Sequence, residues 1–295
     1  MGKRVSGIIL KGIGGFYYVQ TDLGLLECKA RGIFRKNNQK PFIGDYVDVL
    51  LSDDNGYAAI ETIYPRKNQL IRPPIANIDQ LFIIASIANP GPNAVVIDKL
   101  IAVAQYNNIE PIVIISKTDL ANPIELVSIY ELADIKVITT SKKDLDSHKK
   151  IKELLTGKTT AFTGNSGVGK STLLNCIEKD FEVETGAISQ RLKRGKHTTR
   201  YVELYPLSGG GFIADTPGFS SIDLGRFNML DKENLRYSFI DFLPYQNDCK
   251  FNSCNHIGEK GCAIAVAVQE GKISQSRYDS YLTIYNEIKD IKPWE

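Results

Sequence analysis

Two short stretches of this chain concentrate side chains that can do chemistry. The first is "FTGNSGVGKSTLLN", residues 162–175, where Gly164 is followed after four residues by Gly169-Lys170-Ser171. Glycines at that spacing let a loop turn so that its backbone N–H groups surround an anion. The lysine then reaches β- and γ-phosphates, and the serine hydroxyl binds Mg²⁺. Gly164, Asn165, Ser166, Gly167, Val168, Gly169, Lys170, Ser171 and Thr172 are the expected phosphate cradle, with the positive end of the helix "STLLNCIEK" facing the anion. The second stretch holds Cys249, Cys254, His256 and Cys262 within 14 residues. Three thiolates and one imidazole suit a closed tetrahedral zinc site, which leaves no open position for catalysis, so the expected metal is structural. Cys28 and Cys176 are expected as buried small hydrophobes. His148, in a lysine-rich helix, is expected at the surface.

Other residues belong with the phosphate loop. "DTPGF" (215–219) follows the apolar strand "GGGFIA", and Asp215 lies 44 residues after Ser171. A carboxylate there suits Mg²⁺ held through water, and the Gly218 N–H suits a γ-phosphate contact. "IVIISKTDL" supplies Ser116, Lys117 and Asp119 after another apolar run. In the Asn-Lys-x-Asp signature of GTP-binding proteins the Asp accepts hydrogen bonds from guanine N1–H and the 2-amino group, which adenine cannot match. Here Ser116 stands where Asn is usual. The competing reading of Asp119 is a helix N-cap. At the next strand end, "ITTSKKD" offers Ser141 and Lys142 to back the base. Both base elements precede the phosphate loop, the reverse of the ordinary order. This is a circular permutation, and it is compatible with one site because native termini often lie close together.

The elements that must position these groups are legible as patterns. Residues 3–64 read as five short strands, "RVSGIIL", "GFYYVQT", "GLLECKA", "DYVDVLL" and "YAAIETI", separated by Gly and Asn/Asp punctuation. Such a run suits a small OB-type barrel, with an SH3-like barrel as the alternative. Phe16, Tyr17 and Tyr18 offer base-stacking faces, although alternate members filling the core is the favoured reading. "YPRKNQLIRPP" (64–74) reads as a linker. Beyond it, continuous apolar runs at 78–87 and 110–120 alternate with helical spacing, as in a parallel sheet covered by helices. After about residue 225 the strands stop; "DKENLRYSFIDF", "AIAVAVQEG" and "SQSRYDSYLTIYNEIKD" read as helices. The expected domains are therefore 1–66, 67–225 and 226–295. Hydrophobic residues at 43% and charged residues at 24% are ordinary for a globular protein, and a net charge of +2 does not announce a nucleic-acid partner. No apolar run reaches a membrane span, and the basic N-terminus passes straight into strand-like residues rather than a signal peptide. A cytoplasmic protein is expected.

Taken together, these motifs resemble the circularly permuted, small-ribosomal-subunit-dependent GTPases of the RsgA (YjeQ/YloQ) family over essentially all 295 residues. The resemblance implies a multidomain α/β fold: an OB-type β-barrel, a circularly permuted P-loop GTPase domain and a mostly helical zinc-binding domain. It implies GTP/GDP, Mg²⁺ and one structural Zn²⁺ as cofactors. It also implies the small ribosomal subunit and its rRNA as partners, late in subunit maturation, with hydrolysis stimulated by the subunit and the chain acting as a monomer. Thr199, with Thr198 as runner-up, is the implied switch threonine that joins Ser171 and Asp215 at Mg²⁺. The segment 189–204 carries Arg191, Lys193, Arg194, Lys196 and Arg200, with no acid before Glu203. A surface for rRNA phosphates is the sharper reading and a solvated loop the plainer one. Many GTPases orient water with a Gln directly after Asp-x-x-Gly. Phe219 occupies that position and cannot bond water, so His197 is the candidate catalytic group beside Lys170 and Thr199.

Overall fold

The computed structural model describes residues 3–36, 39–52, 57–71, 73–181, 202–207, 209–215 and 230–291. The chain forms two compact units. One comprises Met1–Asp79, Leu155–Ala161 and Val183–Pro217; the other comprises Gln80–Leu154, Phe162–Glu182 and Gly218–Glu295.

The first unit opens with β1 (Arg4–Ile13), β2 (Phe16–Thr21), β3 (Gly24–Ala30), a short α1 (Gly32–Lys36), β4 (Tyr46–Leu50) and β5 (Ala58–Ile63). The strand order is β1-β2-β3-β5-β4, and β4 pairs back onto β1, so the sheet closes. Four of these pairings are antiparallel, while β3 and β5 run parallel. Closure in this order is the five-stranded Greek-key barrel expected of an OB type. Ile9, Val19, Val47, Val49 and Ile60 are fully buried inside it. The Phe16–Tyr18 trio is not core, against the favoured reading: all three are half-buried, and Val19 takes the interior position. Phe16 and Tyr18 share one strand face, and cations lie over their rings, which keeps that face at the surface.

The proline-rich stretch expected as a linker is tied down. The Arg66 guanidinium makes a two-pronged pair with buried Asp45 (2.7 and 2.8 Å) and also donates to the Lys40 carbonyl. β6 (Gln69–Leu70) and β7 (Ile75–Ala76) then form a hairpin, and the Asn77 amide donates to the Gly44 carbonyl at 2.8 Å. Proline content alone marks turns, and it says nothing about which side chains anchor them. The same unit also contains the antiparallel pair β12 (Glu203–Pro206) and β13 (Phe212–Asp215); β1 extends from the barrel to pair with β12.

The second unit holds β8 (Gln80–Ser86), α2 (Ala94–Tyr106), β9 (Glu110–Ser116), α3 (Ile124–Glu131), β10 (Lys136–Thr139) and α4 (Leu145–Leu155). β8, β9 and β10 are parallel neighbours, and every residue of β8 is buried, as expected for a strand covered on both faces. β11 (Thr159–Thr163) leads out of the first unit into the phosphate loop and α5 (Lys170–Phe181). α3 is anticipated only through the helix-cap reading of Asp119, and it begins later, at Ile124. His148 is buried, not at the surface, because α4 turns Ser147, His148, Ile151 and Leu155 inward at helical spacing. Leu235–Ser238 and Ile240–Phe242 are 3₁₀ turns rather than the expected helix; α6 (Ala263–Gln269) and α7 (Gln275–Ile288) match their patterns. No described helix is long and apolar enough to cross a membrane.

Within this unit a buried ionic joint fastens α7 to α2. Arg277 is completely buried and pairs two-pronged with Asp241 (2.8 and 2.6 Å) while its third donor reaches Asp98 of α2 at 2.7 Å. Burial raises the Asp98 carboxyl to about 6, although Arg277 pulls it the other way. Burial alone would lower Arg277, but Asp241 and Asp98 outweigh it and hold the guanidinium charged. Asp241, engaged by two parallel bonds, is therefore the principal counter-charge.

Candidate functional site

The phosphate loop leaves β11 at Gly164. A Cβ there would sit 2.5 Å from the Ile84 carbonyl oxygen, so only glycine lets the loop cross β8 this closely. Gly169 takes a φ of +96°, which opens the last turn before α5. The Leu173 N–H bonds the Gly169 carbonyl at 2.9 Å, so helical bonding begins immediately after the loop. Asn165, Ser166, Gly167, Ser171 and Thr172 are exposed, Lys170 is half-buried, and Val168 is buried beneath them. A surface of glycine and small polar residues backed by one apolar anchor leaves backbone N–H groups available to an anion at a helix N-terminus.

In the Ser116–Asp119 loop, two side chains are committed to backbone carbonyls. Ser116 is buried, and its hydroxyl lies 2.5 Å from the Val168 carbonyl and 3.2 Å from that of Ala85. Lys117 adopts a left-handed φ of +60°, and its amine donates to the Gly167 carbonyl at 2.8 Å and to the Asn89 carbonyl. These two side chains thus grip the underside of the phosphate loop, and their polar ends are spent on backbone rather than held out to a base. Ser116, at the Asn position of the signature, has one hydroxyl proton to give, and the Val168 carbonyl is the nearer of its two acceptors. Asp119 is exposed and has no hydrogen-bond or ion-pair partner among the described residues. It does not cap α3, whose first residue is Ile124; the Ile124 N–H bonds the Asn122 side chain instead. The second base loop is joined to the first: the Thr118 N–H and hydroxyl both donate to the Thr140 carbonyl (3.3 and 3.2 Å), and the Thr140 hydroxyl lies 2.7 Å from that of Ser147. Ser141 is half-buried and Lys142 exposed on that loop. The grip of Ser116 and Lys117 on the phosphate loop was not predicted from the sequence, because contacts fifty residues apart leave no local signal; their position in the base motif is the only clue.

Asp215 is the last residue of β13. His197, Thr198, Thr199, Gly218 and Phe219 lie outside the described residues, together with Arg191, Lys193, Arg194, Lys196 and Arg200.

The cysteine cluster is gathered as expected. The ligand atoms of Cys249, Cys254, His256 and Cys262 all lie within 4.8 Å of one another. The sulfurs of Cys249 and Cys262 each stand 3.5 Å from His256 Nδ1, which makes Nδ1 the inward-facing nitrogen. A zinc–sulfur bond of about 2.3 Å requires donor separations of roughly 3.8 Å, so the set fits a tetrahedral ion. His256 reaches the cluster through a left-handed φ of +61°. The Glu259 carboxylate braces the same turn by accepting the N–H groups of Asn255 (2.8 Å) and Ile257 (2.7 Å). The Ala263 N–H at the start of α6 donates to the Cys249 sulfur at 3.3 Å. Phe242 and Tyr281 pack their rings 6.1 and 6.4 Å from that of His256 and keep the site dry. Burial pushes the Cys254 thiol up to about 12 and the Cys262 thiol upward, and it lowers His256. A bound cation must displace the thiol protons, so metal affinity here should rise with pH. Of the other cysteines, Cys28 is buried as expected, whereas Cys176 is only half-buried.

On the barrel, an outer face collects aromatic rings and cations. Phe16 and Tyr57 lie 4.8 Å apart, and the Lys29 amine stands 4.9 and 4.4 Å from their rings. Lys11 covers Tyr18 at 4.7 Å.

The comparisons with known proteins agree with this architecture. Residues 63–225 match the family model described as RsgA GTPase, and residues 6–60 match the RsgA N-terminal domain. A small ribosomal subunit biogenesis GTPase RsgA of Caldanaerobacter subterraneus subsp. tengcongensis is 45% identical, covering 98% of this chain and 97% of its own. Its namesake in Shouchella clausii is 42% identical over 97% of this chain and 98% of its own. Among solved structures, YloQ, described as a circularly permuted GTPase, aligns with a TM-score of 0.79 and 37% identity over 99% of this chain and 97% of its own. YjeQ from Thermotoga maritima aligns with a TM-score of 0.81 and 31% identity over 98% of this chain and 100% of its own.

Proposed function

Since this chain belongs to the RsgA GTPase family, and so is a GTPase of the circularly permuted kind, we propose that it binds the small ribosomal subunit, assists its late maturation and hydrolyses GTP faster when bound there. The observation that carries this reading is a braced phosphate loop next to an uncommitted Asp119 carboxylate, in a chain whose relatives are named for small-subunit biogenesis. In this reading Lys170 neutralises the β- and γ-phosphates, and the loop N–H groups from Gly164 to Thr172 hold them. Ser171, Asp215 and Thr199 hold Mg²⁺, and the Gly218 N–H meets the γ-phosphate. Mg²⁺ neutralises charge on the phosphate oxygens. Asp119 selects guanine, Ser141 and Lys142 back the base, and Ser116 and Lys117 keep the loop in place. His197 positions the attacking water in place of the glutamine that Phe219 replaces. Cys249, Cys254, His256 and Cys262 bind one zinc as a structural staple. The Phe16–Lys29–Tyr57 face of the barrel, with the basic 191–200 segment, contacts rRNA, since rings and cations together suit unpaired bases and phosphates. The chain works as a cytoplasmic monomer.

The deciding experiment is GTP turnover with each ribosomal subunit added separately. Stimulation by the small subunit alone supports the proposal; equal stimulation by both, or by neither, refutes it. His197→Ala should lower the plateau of that stimulation by about 10²–10⁴, the usual range for one acid–base group. A shifted midpoint with a normal plateau would make His197 an rRNA contact instead.

A further inference from the structure

A cavity of about 150 Å³ opens beside the cysteine cluster, lined by Arg236, Tyr237, Gln246, Asn247, Phe251 and Asn252. Its polar lining is only partly paired among the described residues. The half-buried Arg236 guanidinium bonds the Tyr237 hydroxyl (2.9 Å) and the Cys254 carbonyl (3.3 Å), but it makes no ion pair with any described carboxylate. Among the described residues its Nε–H is buried without a partner, and so is Oε1 of Gln246 in the same lining. Among the described residues, no carboxylate lines the cavity. A buried donor or acceptor left unpaired is costly, and a ligand that brings the complementary group relieves that cost. Two aromatic rings stand at the opening: Tyr237 is 48% exposed and Phe251 49%. Arg236 stacks over Tyr237 at 4.8 Å, and Lys250 lies over Phe251 at 5.6 Å. Gln246, Asn247 and Asn252 add side-chain amides, each of which both donates and accepts.

We propose that this cavity is a binding site for one unpaired RNA nucleotide, with the base stacked on Tyr237 or Phe251, its edge read by the amides, and its phosphate held by Arg236. Stacking faces, amides and an arginine are together the chemistry of single-strand recognition; a duplex presents neither a free base face nor an accessible base edge of that kind. A protein partner would be expected to meet a larger apolar area than two rings rimmed by amides. Cys249 also lines the cavity, so the metal loop forms one wall and the site exists only while that loop is folded. The inference rests on the proposed action at the small ribosomal subunit only for the source of the RNA.

The test uses the full-length, metal-loaded protein and a short fluorescent single-stranded oligoribonucleotide carrying a photoreactive base, with the matching duplex as control. The single strand should bind more tightly than the duplex, and cross-links should map to residues 236–252. Of Tyr237→Ala and Phe251→Ala, the one that removes the stacking ring should weaken binding about 5–150-fold, the cost of losing one base stack. Arg236→Gln should flatten the dependence of log affinity on log salt by about 0.7, the value for one phosphate contact on a single strand. Metal content and thermal midpoint, measured on each variant, select those that remain folded. Unchanged affinity in both folded ring variants, cross-links confined to other segments, or variants that lose intact subunits while keeping the oligonucleotide would each overturn the proposal; the last would point to a ribosomal protein. Turnover of the unmodified protein with and without subunits, run in parallel, tests the functional reading separately. A protein that binds the oligonucleotide here but ignores subunits would sink that reading and leave the nucleotide site standing.

Discussion

In the phosphate loop, Ser116 and Lys117 satisfy the carbonyls of Val168 and Gly167 from below, so the backbone is committed before any nucleotide arrives. In the cysteine cluster, three thiols and an imidazole are turned toward one another in an apolar shell, and burial holds two of the thiols protonated. The first site is preorganised by hydrogen bonds that the chain supplies to itself. The second gathers donors whose mutual stabilisation needs a cation. A phosphate cradle must release product each cycle, so its geometry has to persist in the free state. A structural metal is bound once, and its binding energy is folding energy.

Removing one of the four gathered donors should produce the largest effect. Cys254→Ala should cost about one zinc per chain, leave residues 230–291 open to protease and forfeit much of the roughly 10–16 kcal/mol that such sites supply. GDP affinity should change far less, because the loops that brace the phosphate site bond one another and not the cluster. Full zinc content in the variant, or an equal collapse of nucleotide binding, would break the contrast between the two sites. Wild-type zinc affinity should also fall as pH falls, since protons compete for the thiolates; chelator titrations at several pH values check this.

The Arg277 joint comes next. Asp241→Ala should destabilise by about 3–5 kcal/mol by leaving a buried guanidinium without its main partner. Denaturant unfolding measures it; a loss below about 1 kcal/mol would mean that Asp98 alone suffices.

Ser116→Ala removes one donor and leaves the Val168 carbonyl unsatisfied, which costs about 1–3 kcal/mol. That cost should appear as weaker GTP and GDP binding together, with base preference intact, because the hydroxyl braces the loop and not the base. Asp119→Asn should behave in the opposite way: weaker guanine binding and a relative gain for xanthosine triphosphate, whose 2-oxo group accepts from an amide. Calorimetry on both variants with both nucleotides tests the division of labour inside one short motif.

The smallest effect concerns Asp98. Its folded value of about 6 lies above the unfolded 3.8, so between those values the folded state binds the extra proton. Its contribution to stability must then fall as pH rises from about 4 to about 6 and stay flat above. Asp98→Asn should change little below pH 4 and should remove that downward slope. An unchanged slope in the variant would show that Asp98 is ionised throughout.

The sequence by itself determined the order of the parts. Glycine spacing, the lysine and serine after it, and cysteines crowded beside a histidine are local patterns, because a tight anion-binding turn and a metal knuckle are each closed within a few residues. Five strands separated by turn residues, and apolar runs too long for a half-exposed strand, announced a barrel and a buried parallel sheet for the same reason. What only the tertiary structure decided are pairings across long separations. Ser116 meets Val168, Arg277 meets both Asp98 and Asp241, and Arg66 meets Asp45 in the stretch that composition marked as a linker. His148 is drawn inward and the Phe16–Tyr18 face left outward by which side of each element its neighbours cover. Burial and charge compensation depend on what the folded chain brings alongside a residue, and that is a property of three-dimensional packing which no short window of sequence contains.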